Sequence, residues 1–358
     1  MAHTDNAFTY LKWRGDLSIE ASPFNEVDAL ILSELSYIEL DGIVGGMGDD
    51  DQITIQEANE RYAKKGEKYP YYGIKEELFD AVAKSPRFAQ MTISNYKVTL
   101  DLLEHQQFAA MHFNVTPYLT FIGFRGTDST IAGWREDFNM SYMMPVPAQQ
   151  SAVDYVNETA KGMFRKYWIG GHSKGGNLAI YSSVFCEPRV QKKIIRVNSF
   201  DGPGFNRSMI DNPSYLTVKE RIHAYVPDES VVGMLMEHEE EYRVVKSSAV
   251  SLLQHEGLSW QVNGTEFVLA EGLDNYSKNM SETIKSWLAR VTPEERKMAV
   301  NAFFTLFEKA GLKDFVELKE MDAKTTGALL KAVATVPKKE RELVGKLIKL
   351  FIEETTKK

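Results

Sequence analysis

The segment Tyr167-Trp168-Ile169-Gly170 reads as a short strand, Gly176-Asn177-Leu178-Ala179-Ile180-Tyr181 as a helix start, and Gly171-His172-Ser173-Lys174-Gly175 as the turn between them. A serine presented on so sharp a strand-to-helix turn needs small residues two before and two after it, so that the backbone can close the bend. The pattern G-x-S-x-G recurs by chance, and its weight comes from these flanks. The surrounding pattern agrees. Gln107–Val115 and Tyr118–Phe124 read as paired strands, and Ser151–Tyr167 has helical periodicity through Val153, Val156, Ala160, Met163 and Phe164. A helix is expected over Gly175–Phe185, and β-branched runs follow at Ile194–Phe200, Arg221–Val226 and Tyr242–Lys246. Strands alternating with helices predict an α/β fold, a mostly parallel sheet covered on both faces.

Outside that central region the signals differ. Residues 1–100 are mixed, with Ser22-Pro23 placed to open a helix over Phe24–Leu40. Gly45-Gly46-Met47-Gly48-Asp49-Asp50-Asp51 reads as a solvated loop, because adjacent aspartates lack the every-second-residue spacing of a calcium site. Residues 278–354 read as helices throughout. Thr292-Pro293-Glu294-Glu295 is a capping box, followed by an apolar side of Met298, Val300, Phe303, Phe304 and Phe307, with Gly311 as a stop. A last helix carries Leu343, Val344, Leu347, Ile348, Phe351 and Ile352 on one face. The division expected is residues 1–274, with a core at about 105–270, and an all-helical appendage at 275–358.

A nucleophilic serine needs a base and a group that orients the base. On a turn of this type the partners follow in the order serine, acid, histidine, each after a strand. The second strand after the turn ends at Pro227-Asp228-Glu229-Ser230, which makes Asp228 the expected acid, with Asp201 of Phe200-Asp201-Gly202-Pro203-Gly204 as second choice. The next strand leads to Ser251-Leu252-Leu253-Gln254-His255, which makes His255 the base. His223 lies within a strand, His238 precedes one, and His3, His105 and His112 come before the serine; His172 reads as a packing or orienting residue. The amide of Lys174 is one expected oxyanion donor, and Thr127, in Phe124-Arg125-Gly126-Thr127, is the other. No metal-ligand spacing is present, and no cofactor is expected.

The 358 residues carry a net charge of −8, which argues against nucleic-acid binding. Residues 275–358 hold 17 lysines and arginines against 12 acids, leaving 25 against 38 in the rest. That basic tail offers a surface for the acidic part, or for an anionic partner or membrane surface, and the apolar faces of the C-terminal helices suit packing on the rest of the chain or on a second copy of it. A single cysteine, Cys186, rules out an intramolecular disulfide framework. The N-terminus shows no secretory signal, and no apolar run approaches the ~20 residues of a membrane span, so a cytoplasmic protein is expected.

Phe124-Arg125-Gly126-Thr127, then Trp134 and Asp137, then Gly171-His172-Ser173-Lys174-Gly175-Gly176 resemble the class 3 (fungal-type) lipase family, in wording closest to a bacterial branch related to it. The resemblance spans about Tyr118 to Trp260. It implies an α/β-hydrolase fold, carboxylic ester hydrolysis without a cofactor, and an oxyanion-hole role for Thr127. The chain departs from those lipases at Lys174, where they carry leucine, and at Asn177, where they carry alanine; Thr127–Trp134 is one residue longer. Met140, Tyr142, Met143, Met144 and Val146 fall where such lipases carry a lid, and Val231, Val232, Met234, Leu235 and Met236 follow the expected acid. Flexible methionines there suit an adaptable pocket for a small-molecule acyl ester. A thioesterase or acyltransferase would use the same residues, and a binding module on a hydrolase scaffold is the reading from another class.

Overall fold

The computed structural model describes residues 5–309 except Asp50, 67–72 and Ser129, and beyond them 312, 336–338, 341–343, 345–347 and 349–350; for Phe307 and Glu308 it describes the backbone alone. Gly311, Val344, Ile348, Phe351 and Ile352 lie outside the described residues, as does the side chain of Phe307.

Eight strands form one sheet whose spatial order is the chain order: β1 (Ile53–Thr54), β2 (Thr92–Asp101), β3 (Gln106–Thr116), β4 (Leu119–Phe124), β5 (Lys166–His172), β6 (Ile194–Phe200), β7 (Ile222–Pro227) and β8 (Tyr242–Val245). β1 pairs antiparallel with β2 and β3 with β4, while β4 through β8 are all parallel. Among the described residues the helices include α1 (Ala7–Arg14), α2 (Glu26–Leu35), α3 (Ile55–Lys65), α4 (Gly73–Ala83), α5 (Ile131–Asn139), α6 (Pro147–Thr159), α7 (Lys174–Phe185), α8 (Pro188–Gln191), α9 (Arg207–Ile210), α10 (Pro213–Lys219), α11 (Asn275–Ala289) and α12 (Pro293–Lys309), and residues 341–343, 345–347 and 349–350 are helical as well. Parallel strands joined by helices, with a serine on the turn from β5 to α7, make this an α/β-hydrolase fold. Among the described residues no helix is long and apolar enough to cross a membrane.

The register of the parallel strands brings their ends together. Gly171 on β5 lies opposite Phe124 of β4 and Ser199 of β6, and His172 lies opposite Phe200. The C-terminal ends of three adjacent strands are therefore level, and the residues beyond them meet at one edge, where parallel sheets place their sites.

The helix expected from Ser22-Pro23 begins later and ends earlier. Asn25 is its N-cap: its side chain accepts from the amides of Val27 and Asp28, and the Asp28 carboxylate accepts from the Asn25 amide. Every residue of α2 is buried, so the helix has no solvent face and its polar residues must find partners inside. Asp28 does so through Arg87, whose Nε and Nη2 donate to its two carboxylate oxygens at 2.8 and 2.5 Å, and through the Tyr10 hydroxyl at 2.8 Å. Arg87→Met is expected to cost about 3–5 kcal/mol, because it leaves a buried carboxylate without its cation. Chemical denaturation at pH 7 measures that loss, which should shrink at acid pH, where Asp28 takes up a proton.

The helix expected at Ser151–Tyr167 instead spans Pro147–Thr159. Lys166 and Tyr167 belong to β5, recruited by the Lys166 amide bonding to Tyr118 O, and Met163 and Phe164 stand exposed on the connection.

The chain divides into two compact units. The first comprises residues 1–99, 108–126 and 148–274; the second comprises 100–107, 127–147 and 275–358. A boundary between the units lies at 274/275, and the second unit also takes two segments from earlier in the chain. Its core explains the recruitment: Ile131 of α5 packs with Val300 and Phe304 of α12 and with Leu312, and Tyr142 packs against them. The ring of Phe138 lies 5.6 Å from that of Phe304. The helix start at Thr292 is reciprocal, the Glu295 amide donating to Thr292 Oγ1 and the Thr292 amide to Glu295 Oε2.

Candidate active site

Ser173 occupies the turn between β5 and α7 with φ 57° and ψ −133°, a backbone conformation that L side chains rarely adopt. The Ser173 amide donates to Phe200 O, tying the turn to β6. Gly175 is required by close approach, since a Cβ there would stand 2.2 Å from Phe124 O. The turn also directs the serine to the N-terminal end of α7, where the helix dipole favours a developing negative charge.

His255, the expected base, is held by the first of the two acids considered in chain order. Its Nδ1 lies 2.6 Å from Asp201 Oδ2, and a carboxylate can only accept, so Nδ1 carries the proton and Nε2 is left with a lone pair. Asp201 directly follows β6 and is fully buried. Its other oxygen accepts from Ser230 Oγ at 2.5 Å and from the Gly233 amide at 3.1 Å. Asp228, the expected acid, is not the partner of His255. It follows β7, its amide donates to Val245 O, its carbonyl accepts from the Asp274 amide, and its Oδ1 is buried without a hydrogen-bond partner among the described residues. The reason is one of strand order. β6 pairs directly with β5, so its end lies beside the serine turn, whereas β7 is one strand further away.

The loop bearing Asp201 is pinned from α7. Asn177 Nδ2 donates to Pro203 O and Gly204 O at 3.0 and 2.9 Å, and its Oδ1 accepts from Gln149 Nε2. This gives the departure from alanine at position 177 a purpose in the fold. The segment Val231–Met236, whose methionines suit an acyl pocket, instead supplies the Gly233 amide to Asp201 and packs Met234 against Val226 and Leu273.

His172, read as a packing or orienting residue, is buried and bonded to the loop of His255. Its Nε2 lies 2.6 Å from the backbone carbonyl of His255, which only accepts, so Nε2 is protonated and Nδ1 accepts from the Tyr37 hydroxyl at 3.1 Å. The two imidazole rings lie 4.6 Å apart. Burial, with the charge of His255 adding to it, pushes the pKa of His172 down to about 3, so it stays neutral and keeps this tautomer. For His255 burial opposes the charged form, but the Asp201 hydrogen bond and the charges of Asp201, Glu256 and Glu34 outweigh it and raise the pKa above the usual 6.5. His112 and His223 are pushed down by burial, to about 3 and 4, and His238 pairs with Glu240.

The two expected oxyanion donors fall in different units. Lys174 opens α7 with its side chain buried. Thr127 belongs to the second unit, where its hydroxyl donates to the Asp137 carboxylate. Gly126, just before it, belongs to the first: a Cβ on Gly126 would lie 2.1 Å from the Tyr37 hydroxyl and 3.1 Å from Ser173 Cβ, so only glycine lets the end of β4 come this close to the serine. Of the expected lid residues, Met140 and Val146 are buried, Tyr142 joins the core of the second unit, and Met143 is partly exposed.

A family model described as Mbeg1-like matches residues 82–305, more than half of the chain. No curated protein matches it. Among solved structures, the chain is similar to the native propeptide complex of Rhizomucor miehei lipase at 15% identity and a TM-score of 0.41, covering 65% of this chain and 80% of that one. It is similar to M37 lipase at 13% identity and a TM-score of 0.34, covering 58% and 69%. A fungal lipase–inhibitor complex, at 13% identity and a TM-score of 0.38, covers 71% and 93%.

Proposed function

From the premise that the chain belongs to the Mbeg1-like family, a lipase-like family, we propose that it is a serine hydrolase that cleaves carboxylic esters, lipid-like acyl esters in particular, through Ser173, His255 and Asp201. The observation that carries this reading is the bond from His255 Nδ1 to the buried Asp201 at the sheet edge that also presents Ser173 in a strained turn.

In this reading Ser173 Oγ attacks the ester carbonyl while His255 Nε2 takes its proton. The carbonyl oxygen becomes an oxyanion that accepts from the Lys174 amide, a donor of a kind worth about 3–4 kcal/mol in the transition state. Collapse of the intermediate expels the alcohol, which takes the proton from His255, and leaves Ser173 acylated. Water, deprotonated by His255, then attacks the acyl-enzyme and releases the acid and the free serine. Asp201 holds the imidazole in the required tautomer throughout and stabilises its charged form.

The test is labelling of the protein with a fluorophosphonate probe, together with hydrolysis of p-nitrophenyl esters of graded chain length. Labelling and turnover are expected, with a rate that falls on the acid side as His255 takes up a proton, and with that fall lying above pH 6.5 because the pKa is raised. A folded protein that neither labels nor hydrolyses, with or without detergent, defeats the proposal.

A further inference from the structure

Three charged side chains from separate parts of the chain meet beside His255. Lys75, on α4, donates from Nζ to Glu34 Oε2 on α2 and, at 2.5 Å, to Oε1 of Glu256, the residue after His255. Glu34 and Lys75 are buried, and Glu256 is partly exposed. Lys75 Nζ also lies 5.4 Å from the centre of the Tyr37 ring, the ring whose hydroxyl holds His172 Nδ1. Glu34 Oε1 stands 3.8 Å from that same nitrogen. The cluster thus reaches His255 by two routes, through Glu256 in its own loop and through Tyr37 and His172 to its carbonyl.

Removing three ionic groups from water is costly, and apolar residues of similar volume would stabilise the fold at least as well. A buried charge cluster next to a base therefore points to the base. We propose that Glu34, Lys75 and Glu256 are positioning residues for His255, a buried ionic clamp that fixes its loop from helices α2 and α4 and sets the field around its ring. This rests on His255 being the base of the hydrolase proposed above.

The groups that face the imidazole are Asp201 from the end of β6, Glu256 from its own loop, Glu34 from α2, and the neutral His172 from β5; the Lys75 cation is shared between the two glutamates. Burial opposes the charge on Glu256, but Lys75, through its charge and its hydrogen bond, holds that carboxyl below the ordinary range, so it is ionised while His255 titrates. Burial pushes Glu34 the other way, up to about 7, although Lys75 lowers it. Glu256 is thus the anion of the cluster that supports the protonated imidazole across the whole working range. Removing its charge lowers the pKa of His255 and carries the acid limb of activity to lower pH.

The experiment follows the ring Cε1–H resonance of His255 by NMR across pH in the full-length protein, assigned by its disappearance in His255→Asn, alongside kcat/KM for a p-nitrophenyl ester. In Glu256→Gln, which retains the Lys75–Glu34 pair, the His255 midpoint is expected to move to lower pH and the acid limb to move with it. In Lys75→Met, kcat at the pH plateau is expected to fall roughly tenfold to a hundredfold with little change in KM, the cost of a loosened base. A folded Glu256→Gln protein whose His255 midpoint matches the wild type overturns the proposal, whatever Lys75→Met does. Because the midpoint is read without turnover, a shifted midpoint in a protein that hydrolyses nothing counts against the hydrolase reading and leaves the coupling of the cluster to His255 standing.

Discussion

Ser173→Ala is expected to abolish fluorophosphonate labelling and to lower ester turnover by about four orders of magnitude or more, to what an oxyanion hole and binding alone provide. Alanine removes the nucleophile and keeps the Cβ, so the strained backbone at φ 57° remains. Glycine at the same position removes both. Ser173→Gly should therefore be equally inactive but more stable than Ser173→Ala by about 1–3 kcal/mol, the cost of holding an L residue in that region. Denaturant titration of the two inactive proteins reads the difference. Equal stability would mean that the turn is relaxed and that the strain argument at the β5–α7 junction is wrong; persistent labelling of Ser173→Ala would remove Ser173 as nucleophile.

The second large effect separates the two aspartates. Asp201→Asn is expected to lower kcat by about 10⁴. The asparagine Nδ2 would donate to His255 Nδ1, forcing the proton onto Nε2, the nitrogen that must act as base. It would also remove the main charge that supports the imidazolium, so the pKa of His255 should fall even as activity is lost. Ser230 Oγ and the Gly233 amide would still hold the side chain through its oxygen, so the protein should stay folded. Asp228→Asn is expected to stay within tenfold of the wild type, because its carboxyl makes no bond to His255. Steady-state kinetics of the pair decide it: a severe loss in Asp228→Asn with Asp201→Asn near normal would restore the order expected from counting strands.

The exchange of Asp228 for Asp201 shows where reading a chain in one dimension stops. Both aspartates follow a β-branched run and precede turn residues, and both lie between Ser173 and His255. Strand counting picks the second because it assumes how far the histidine loop reaches back. The signal for the first was present in Gly202-Pro203-Gly204, which breaks regular structure directly after the strand, and Asp201 itself takes φ 51°. Its meaning, however, depends on Asn177, Ser230 and Gly233, which come from two other segments. Glu34 and Lys75 were invisible for the same reason. A glutamate in a helical run and a lysine 41 positions later read as surface charges until α2 is found to be buried on every side.

By itself the sequence determined the features that depend on neighbours along the chain: the strand–turn–helix around Ser173, the β-branched strands, the Thr292 capping box, and a histidine, His255, beyond the last strand of the sheet. Local sterics and periodicity set those over a few residues. Only the tertiary structure decided which acid faces His255, which residues hold its loop, and that 127–147 packs with α12. Those choices depend on which strand ends lie level and which helix loses its water, and burial of that kind is a property of the packed whole.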